Sequence, residues 1–347
     1  DPILKEVKLA DKITQSLNDR KVEYFFFNEL AEGSCSKTVE RALSLAKEGH
    51  IHGVIAVGGV TALNVGRAVA AMFNEVHSFN TFLDGAQPNT NPIPCICVPS
   101  TYRTPFVFTN EVPITDSRNH QVKLLKVQKN LCKLVLYDPN MTLTLTDNQK
   151  ATLSIELISM AVEAYLSQKA NFFSDTFVEK GLQLLTYALD GSPSLDITTP
   201  EEILLAQAGT MLSLATTSSS LGLASLLSLT INSRYSIVKP LISSILLPYM
   251  LEDAAKYKSS QIVKLAKIMN CIPEDENPSS EEICNYFIDS IRQRIAKANL
   301  PTRLKDLNLT IEQLSLAVED VKQIDIVNTL PRSMSTDDIF DFVKKAY

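Results

Sequence analysis

A change of hydrophobic period near residue 146 constrains this chain more than any other feature. Before it, short apolar runs at Val22 to Phe27, Val54 to Val57, Pro94 to Val98 and Cys132 to Leu136 alternate with helical periodicity at Val39 to Lys47 and Leu63 to Phe73. Strands interleaved with helices form a parallel α/β layer. Asp84-Gly85 and the prolines at 88, 92 and 94 mark a loop that cannot continue a helix. Beyond Asp147 the strand signal ends and helix starts repeat. Thr146 with Gln149, Thr199 with Glu202 (Pro200 between them), Ser279 with Glu282, Thr310 with Gln313 and, more weakly, Ser335 with Asp338 fit the capping box, in which a hydroxyl and a side chain three residues on satisfy each other's free backbone donors. The pattern predicts an α/β domain over 1–146 and an all-helical domain over 147–347.

At 347 residues, 45% apolar and 21% charged, the chain can bury two substantial cores. Thirty-three basic residues against 39 acidic ones give a net charge of −6 with no basic stripe, which argues against nucleic acid as a partner. Six cysteines form no CxxC pair. Cys95 and Cys97 alternate within one apolar run, so they share a face and read as buried, reduced thiols suited to a reducing intracellular compartment, cytoplasm or organelle matrix. The chain opens on Asp1-Pro2 without a charged-then-apolar leader. Ile203 to Ser233 carries no charge, yet its many serines and threonines favour buried helices over a membrane span.

The candidate chemistry sits first at Val54 to Arg67, VIAVGGVTALNVGR, a buried strand entering a Gly58-Gly59 turn and then a helix. Glycines let backbone approach an anion, and a helix N-terminus offers free N–H groups and a positive dipole end. Histidine is confined to His50, His52, His77 and His120. His50 and His52 flank a turn and read as surface residues without a third ligand; Ser218 to Ser220 lack a histidine base in their domain and read as hydroxyls bonded to helix carbonyls. Phe25, Phe26 and Phe27 read as core rather than as a stacking platform.

The glycine turn resembles the nucleotide signature GGGS-x-x-D-x-x-K of the iron-containing alcohol dehydrogenases, relatives of glycerol dehydrogenase and dehydroquinate synthase. Further likenesses follow in order: Val98 to Thr101, Ile114 to Asp116, Tyr137 to Pro139, Glu163 to Tyr165, Ala170 to Asp175, Leu246 to Pro248, and Ile291 to Asp306. The resemblance implies a dehydroquinate synthase-like fold, with a nucleotide-binding α/β domain before an all-α domain. It matches Asp1 to an aspartate that ends a second strand in the family, so the first strands are expected to be trimmed or absent. It places remnants of a cofactor site at Gly58, Gly59, Thr61, Asn64, Ser100, Thr101 and Thr104.

Departures from the family pattern are as informative. Val60 replaces a third glycine, where its branches would intrude on a pyrophosphate. Asn64 stands for the aspartate and Arg67 for the lysine. Arg103-Thr104-Pro105-Phe106-Val107 replaces a Gly-Thr-Gly-Ser-Glu run, and Pro105 removes a backbone donor. The family's aspartate and three histidine metal ligands match Glu156, Met160, Ser225 and Lys239, and a further histidine matches Leu229. A carboxylate, a thioether and a hydroxyl form a poor set for iron or zinc, and Lys239 is expected to replace the metal's charge and pair with Glu156.

These departures lead to an expected chain without catalytic activity, without NAD(P) and without iron or zinc, kept as a scaffold, homo-oligomer or subunit of a larger assembly. The alternative is an NAD(P)-dependent alcohol or aldehyde oxidoreductase of altered or metal-independent chemistry, in which Lys239 or Arg103 polarises a carbonyl. A ligand sensor using the same cleft is a third class.

Overall fold

The computed structural model describes residues 1–129, 131–191, 199–274 and 277–347. The chain forms two units, Asp1–Leu145 and Thr146–Tyr347. In the first, helices α1 (Pro2–Glu6), α2 (Asp11–Asp19) and α3 (Ser36–Glu48) precede β1 (Val54–Gly58), α4 (Val60–Met72), α5 (Phe79–Leu83), β2 (Cys95–Pro99), β3 (Glu111–Thr115), β4 (Val122–Lys126) and β5 (Cys132–Val135). Strands β1, β2 and β5 form a parallel sheet in the order β1-β2-β5. Val54 pairs with Cys95 and Gly58 with Pro99, so the two carboxyl ends finish level. α4 lies against β1 and is almost wholly buried, from Ala62 through Met72, as an apolar helix covering a sheet must be.

Two readings of this unit are corrected. Val22 to Phe27 forms no strand: among the described residues no neighbouring strand pairs with it, and β-forming side chains alone do not satisfy a strand's backbone. Phe25 and Phe26 are half-exposed instead of core, and Phe27 alone of the three packs on the hydrophobic cluster. The structure also adds an antiparallel hairpin that the periodicity does not signal, β3 with β4, pairing Glu111 with Lys126 and Thr115 with Val122.

The second unit consists of α6 (Asp147–Leu166), α7 (Phe172–Asp190), α8 (Glu201–Ser218), α9 (Leu223–Tyr235), α10 (Lys239–Ile268), α11 (Ser280–Lys297), α12 (Ile311–Val321) and α13 (Thr336–Ala346), with short 3₁₀ turns between. Capping boxes form at Thr146, Ser279, Thr310 and Ser335. Thr199 does not cap: α8 begins at Glu201 behind Pro200, without a side-chain cap. α6 and α9 are buried on nearly every face, which is the position an evenly apolar helix takes in a bundle. Among the described residues no single helix is long and apolar enough to cross a membrane; α8 and α9 qualify only as a pair, and they bend by 98°.

Candidate functional site

In the α/β unit the glycine turn is built as its sequence demands. Gly58 closes β1 at φ +143°, a conformation that side chains rarely adopt, and a Cβ there would stand 2.5 Å from the Asp1 carboxylate and 3.0 Å from Ala62 Cβ. Gly59 is the N-cap of α4 and lends it no side chain, and the first turn of the helix holds no acid. The Gly59 N–H donates instead to Asp1 Oδ2 at 2.6 Å. An oxyanion therefore already sits at the mouth of this helix, which is what a phosphate cradle binds.

Ser100 continues β2 and donates its N–H to the Gly58 carbonyl at 2.9 Å. The Thr101 hydroxyl accepts the Arg103 N–H at 3.4 Å, and the Thr104 hydroxyl bonds to that of Tyr137. Gly58, Gly59, Ser100, Thr101 and Thr104, with half-exposed Thr61 on the first turn of α4, thus belong to the carboxyl ends of the parallel strands and the loops that leave them, where open α/β sheets take nucleotides. Val60 lines a shallow crevice with Asn64, Arg67, Thr104, Pro105 and Phe106.

Asn64 and Arg67 serve the scaffold. The Asn64 amide donates to the Pro113 carbonyl at 3.1 Å. The Arg67 guanidinium, 1% exposed, donates to the carbonyls of Glu111 at 3.2 Å and Thr109 at 2.6 Å. Both side chains therefore fasten β3 and the loop before it to α4. Burial alone pulls the Arg67 pKa down, while three thiols nearby, Cys97, Cys95 and Cys132, push it back up. Replacing Arg67 with methionine is expected to lower unfolding stability by about 2 kcal/mol, the range for hydrogen bonds made by a charged group; a shifted urea midpoint at constant slope checks it.

In the helical unit Glu156, Met160 and Glu163 follow one another on α6 at spacings of four and three, so they share a face, and all are buried. Glu163, which the sequence shows only as part of a motif, is the organising residue. Its carboxylate accepts the Ser225 N–H at 2.9 Å and the Ser225 hydroxyl at 2.5 Å, and faces the N–H groups of Gly222 and Ala224. It caps α9, whose N-cap Gly222 has no side chain to do so; a Cβ at Gly222 would meet Glu163 Cγ at 2.8 Å. Burial raises the Glu163 pKa, with the Ser225, Gly222 and Ala224 donors opposing it. Glu163 also borders a narrow crevice with Asp253, Tyr257 and Arg332.

Ser225 is thus engaged by Glu163, and Leu229 is buried. Lys239 is the first residue of α10, half-buried; it and Glu156 both have interaction partners in the structure. Ser219 donates to the Ala164 carbonyl at 2.7 Å, while Ser220 accepts from Thr329 at 2.7 Å. His50 and His52 lie exposed in their turn.

A nucleotide-binding-like α/β unit followed by an all-helical unit defines the class of protein. Residues 1–139 match the family described as iron-containing alcohol dehydrogenase, and residues 150–347 the C-terminal part of the same family. The chain belongs to the iron-containing alcohol dehydrogenase family. Lactaldehyde reductase of Escherichia coli strain K12 is 20% identical over all of this chain and 90% of its own length. NADPH-dependent butanol dehydrogenase of Clostridium saccharobutylicum is 20% identical over 97% of this chain and 87% of its own. The crystal structure of a 1,3-propanediol oxidoreductase superposes with a TM-score of 0.87 at 18% identity, covering 97% of this chain and 88% of that one.

Two expectations are corrected by these findings. A catalytically silent scaffold is the wrong reading, because full-length relatives carry the names of working reductases and dehydrogenases. An expectation that excludes NAD(P) and iron is likewise overturned by a family described by its iron and a relative described by its NADPH. Both expectations rest on ligand positions matched by resemblance, and four positions do not by themselves decide whether a chain carries out redox chemistry. Glu156, Met160, Ser225 and Lys239 nonetheless do not make a donor set that fits iron, and no group of three or more His, Cys, Asp or Glu placed to hold a metal occurs among the described residues. The glycine turn keeps the backbone donor that a nucleotide phosphate would take, the Gly59 N–H, where the Asp1 carboxylate sits in this structure.

Proposed function

We propose that this chain is an NAD(P)-dependent oxidoreductase interconverting an alcohol and its aldehyde or ketone. The observation that carries the reading is the Gly59 N–H, which opens α4 and already holds a carboxylate oxygen at 2.6 Å, in a chain whose family membership spans both units. Relatives named as lactaldehyde reductase and butanol dehydrogenase support small alcohols and aldehydes as the substrate class. The nucleotide supplies or accepts the hydride when bound. Gly58 and Gly59 would hold its phosphates at the N-terminus of α4, in place of the Asp1 carboxylate, and Ser100, Thr101 and Thr104 would give hydroxyls beside them.

Lys239 is our candidate for the positive charge that draws on the carbonyl oxygen, with Glu156 balancing it. A cation at a helix N-terminus costs about 0.3–1 kcal/mol, so helix stability does not account for a lysine opening α10. The test is consumption of NADH or NADPH against a panel of short aldehydes, with and without ferrous iron. Turnover of at least one aldehyde is expected, and Lys239→Met should lower kcat by about 100-fold, the usual effect of removing one charge-stabilising donor, with nucleotide affinity unchanged. Nucleotide that binds but is never consumed overturns the proposal. Turnover that appears only with ferrous iron transfers the polarising role from Lys239 to the metal.

A further inference from the structure

The cysteines offer a second chemistry, independent of the nucleotide site. Cys95 and Cys97 lie two residues apart on β2, on one face, and both are fully buried. Cys95 is the register partner of Cys132 on β5, and a bulge after Cys95 realigns the pair of strands so that Ile96 meets Leu134. Adjacent strands run about 4.8 Å apart, inside the Cα separation of roughly 4.4–6.8 Å that a disulfide spans. The thiols of Cys95, Cys97 and Cys132 lie near enough to influence one another's ionisation, and the buried Arg67 guanidinium is close enough to act on all three. All six cysteines are free thiols; Cys132 is the partly exposed one, and the other five are buried.

We propose that Cys132, Cys95 and Cys97 form a peroxide-reactive thiol centre, in which Cys132 is oxidised first and Cys95 resolves it as a disulfide linking β5 to β2. The roles follow from access and charge. A hydroperoxide reaches Cys132 from solvent and is kept from Cys95 and Cys97 by the packing around them. The neighbouring Cys95 and Cys97 thiols lower the Cys132 pKa, with the Arg67 charge and the Leu134 backbone adding to that effect against burial. The Cys95 pKa is raised, chiefly by the neighbouring Cys132, and the Cys97 pKa is raised for the same first reason. As a thiol, Cys132 also donates to the Leu134 carbonyl at 3.3 Å.

The steps balance. The Cys132 thiolate attacks one peroxide oxygen, the O–O bond breaks, and hydroxide leaves with Cys132 as a sulfenic acid. The Cys95 sulfur then attacks the Cys132 sulfur, the S–O bond breaks, and water departs after taking up a proton. Two thiols are oxidised and one hydrogen peroxide becomes two waters.

The experiment uses the unmodified chain. Iodoacetamide labelling of Cys132, mapped by mass spectrometry, is expected to change by less than about 3-fold between pH 8 and pH 6, where an ordinary thiol loses about 100-fold in thiolate. Stoichiometric hydrogen peroxide should then yield a Cys132–Cys95 linked peptide that dithiothreitol reverses, and Cys95→Ser should leave a Cys132 sulfenic acid that dimedone traps. A labelling rate that falls tenfold per pH unit overturns the proposal. So does peroxide treatment that leaves Cys132 reduced or links it to any cysteine other than Cys95.

Discussion

Replacing Glu163 with alanine is expected to lower the unfolding stability of the helical unit by about 3–5 kcal/mol, the cost of breaking a buried charge-assisted network from one side. The substitution strips the cap from α9, leaving the N–H groups of Gly222, Ala224 and Ser225 without that carboxylate, and opens space beside an existing crevice. The chain has no tryptophan, so helical circular dichroism under urea is the readout, with a lower midpoint at constant slope expected. The carboxyl also carries a pH signature. Because burial raises its pKa above the usual value of 4.5, the folded state holds this proton after the unfolded chain has released it. The contribution is therefore fully present below 4.5, falls by about 1.4 kcal/mol per pH unit while only the folded form keeps the proton, and levels off above the folded value. Glu163→Gln should remove that slope while retaining most of the cap. A Glu163→Ala chain as stable as the parent would show that α9 is capped by other means.

The second large effect is expected at the nucleotide turn. Gly58→Val should weaken NADH and NADPH binding by about 100-fold or more, equivalent to about 2.7 kcal/mol, because it adds a branched side chain where a single Cβ already meets Asp1 at 2.5 Å and Ala62 at 3.0 Å. It also forces a residue with a side chain into φ +143°. Gly85→Ala separates these causes. Gly85 has a positive φ of +109° with nothing within 4 Å of an added Cβ, so this variant suffers backbone strain alone. It should lose stability and keep its nucleotide affinity, as measured by calorimetric titration. Equal loss of affinity in both variants would assign the effect to strain and not to the cradle.

What the sequence discloses is local. β1, β2 and β5 announce themselves as apolar runs between turn residues, and Thr146, Ser279, Thr310 and Ser335 announce helix starts because a capping box closes within four residues. Thr199 misleads because Pro200 takes the N-cap itself. Val22 to Phe27 misleads because β propensity says nothing about whether a partner strand is present. Hairpin β3–β4 gives little signal since Pro113 interrupts one strand and lysines occupy the other, although Val112, Ile114 and Leu125 are buried.

The same limit governs the site. Gly58 and Gly59 are legible because a glycine pair after a strand has few other uses. Asn64 and Arg67 occupy positions of cofactor contacts in the motif, yet their partners are carbonyls at Pro113, Glu111 and Thr109, more than forty residues away along the chain, and no spacing rule encodes those meetings. Asp1 at Gly59 and Glu163 at Ser225 are likewise contacts across 58 and 62 residues. The expectation of catalytic silence fails for a different reason. It extends the chemistry of four substituted positions to the whole chain, while membership across both units ties that chain to relatives named for carbonyl and alcohol redox chemistry.

Transfer of deuterium from nicotinamide nucleotide deuterated at C4 to a short aldehyde tests the central claim most directly. The account predicts alcohol carrying one deuterium on its carbinol carbon, lost in Gly58→Val and retained in Gly85→Ala. Deuterium that stays on a bound nucleotide, with the aldehyde unreduced both with and without ferrous iron, would contradict it.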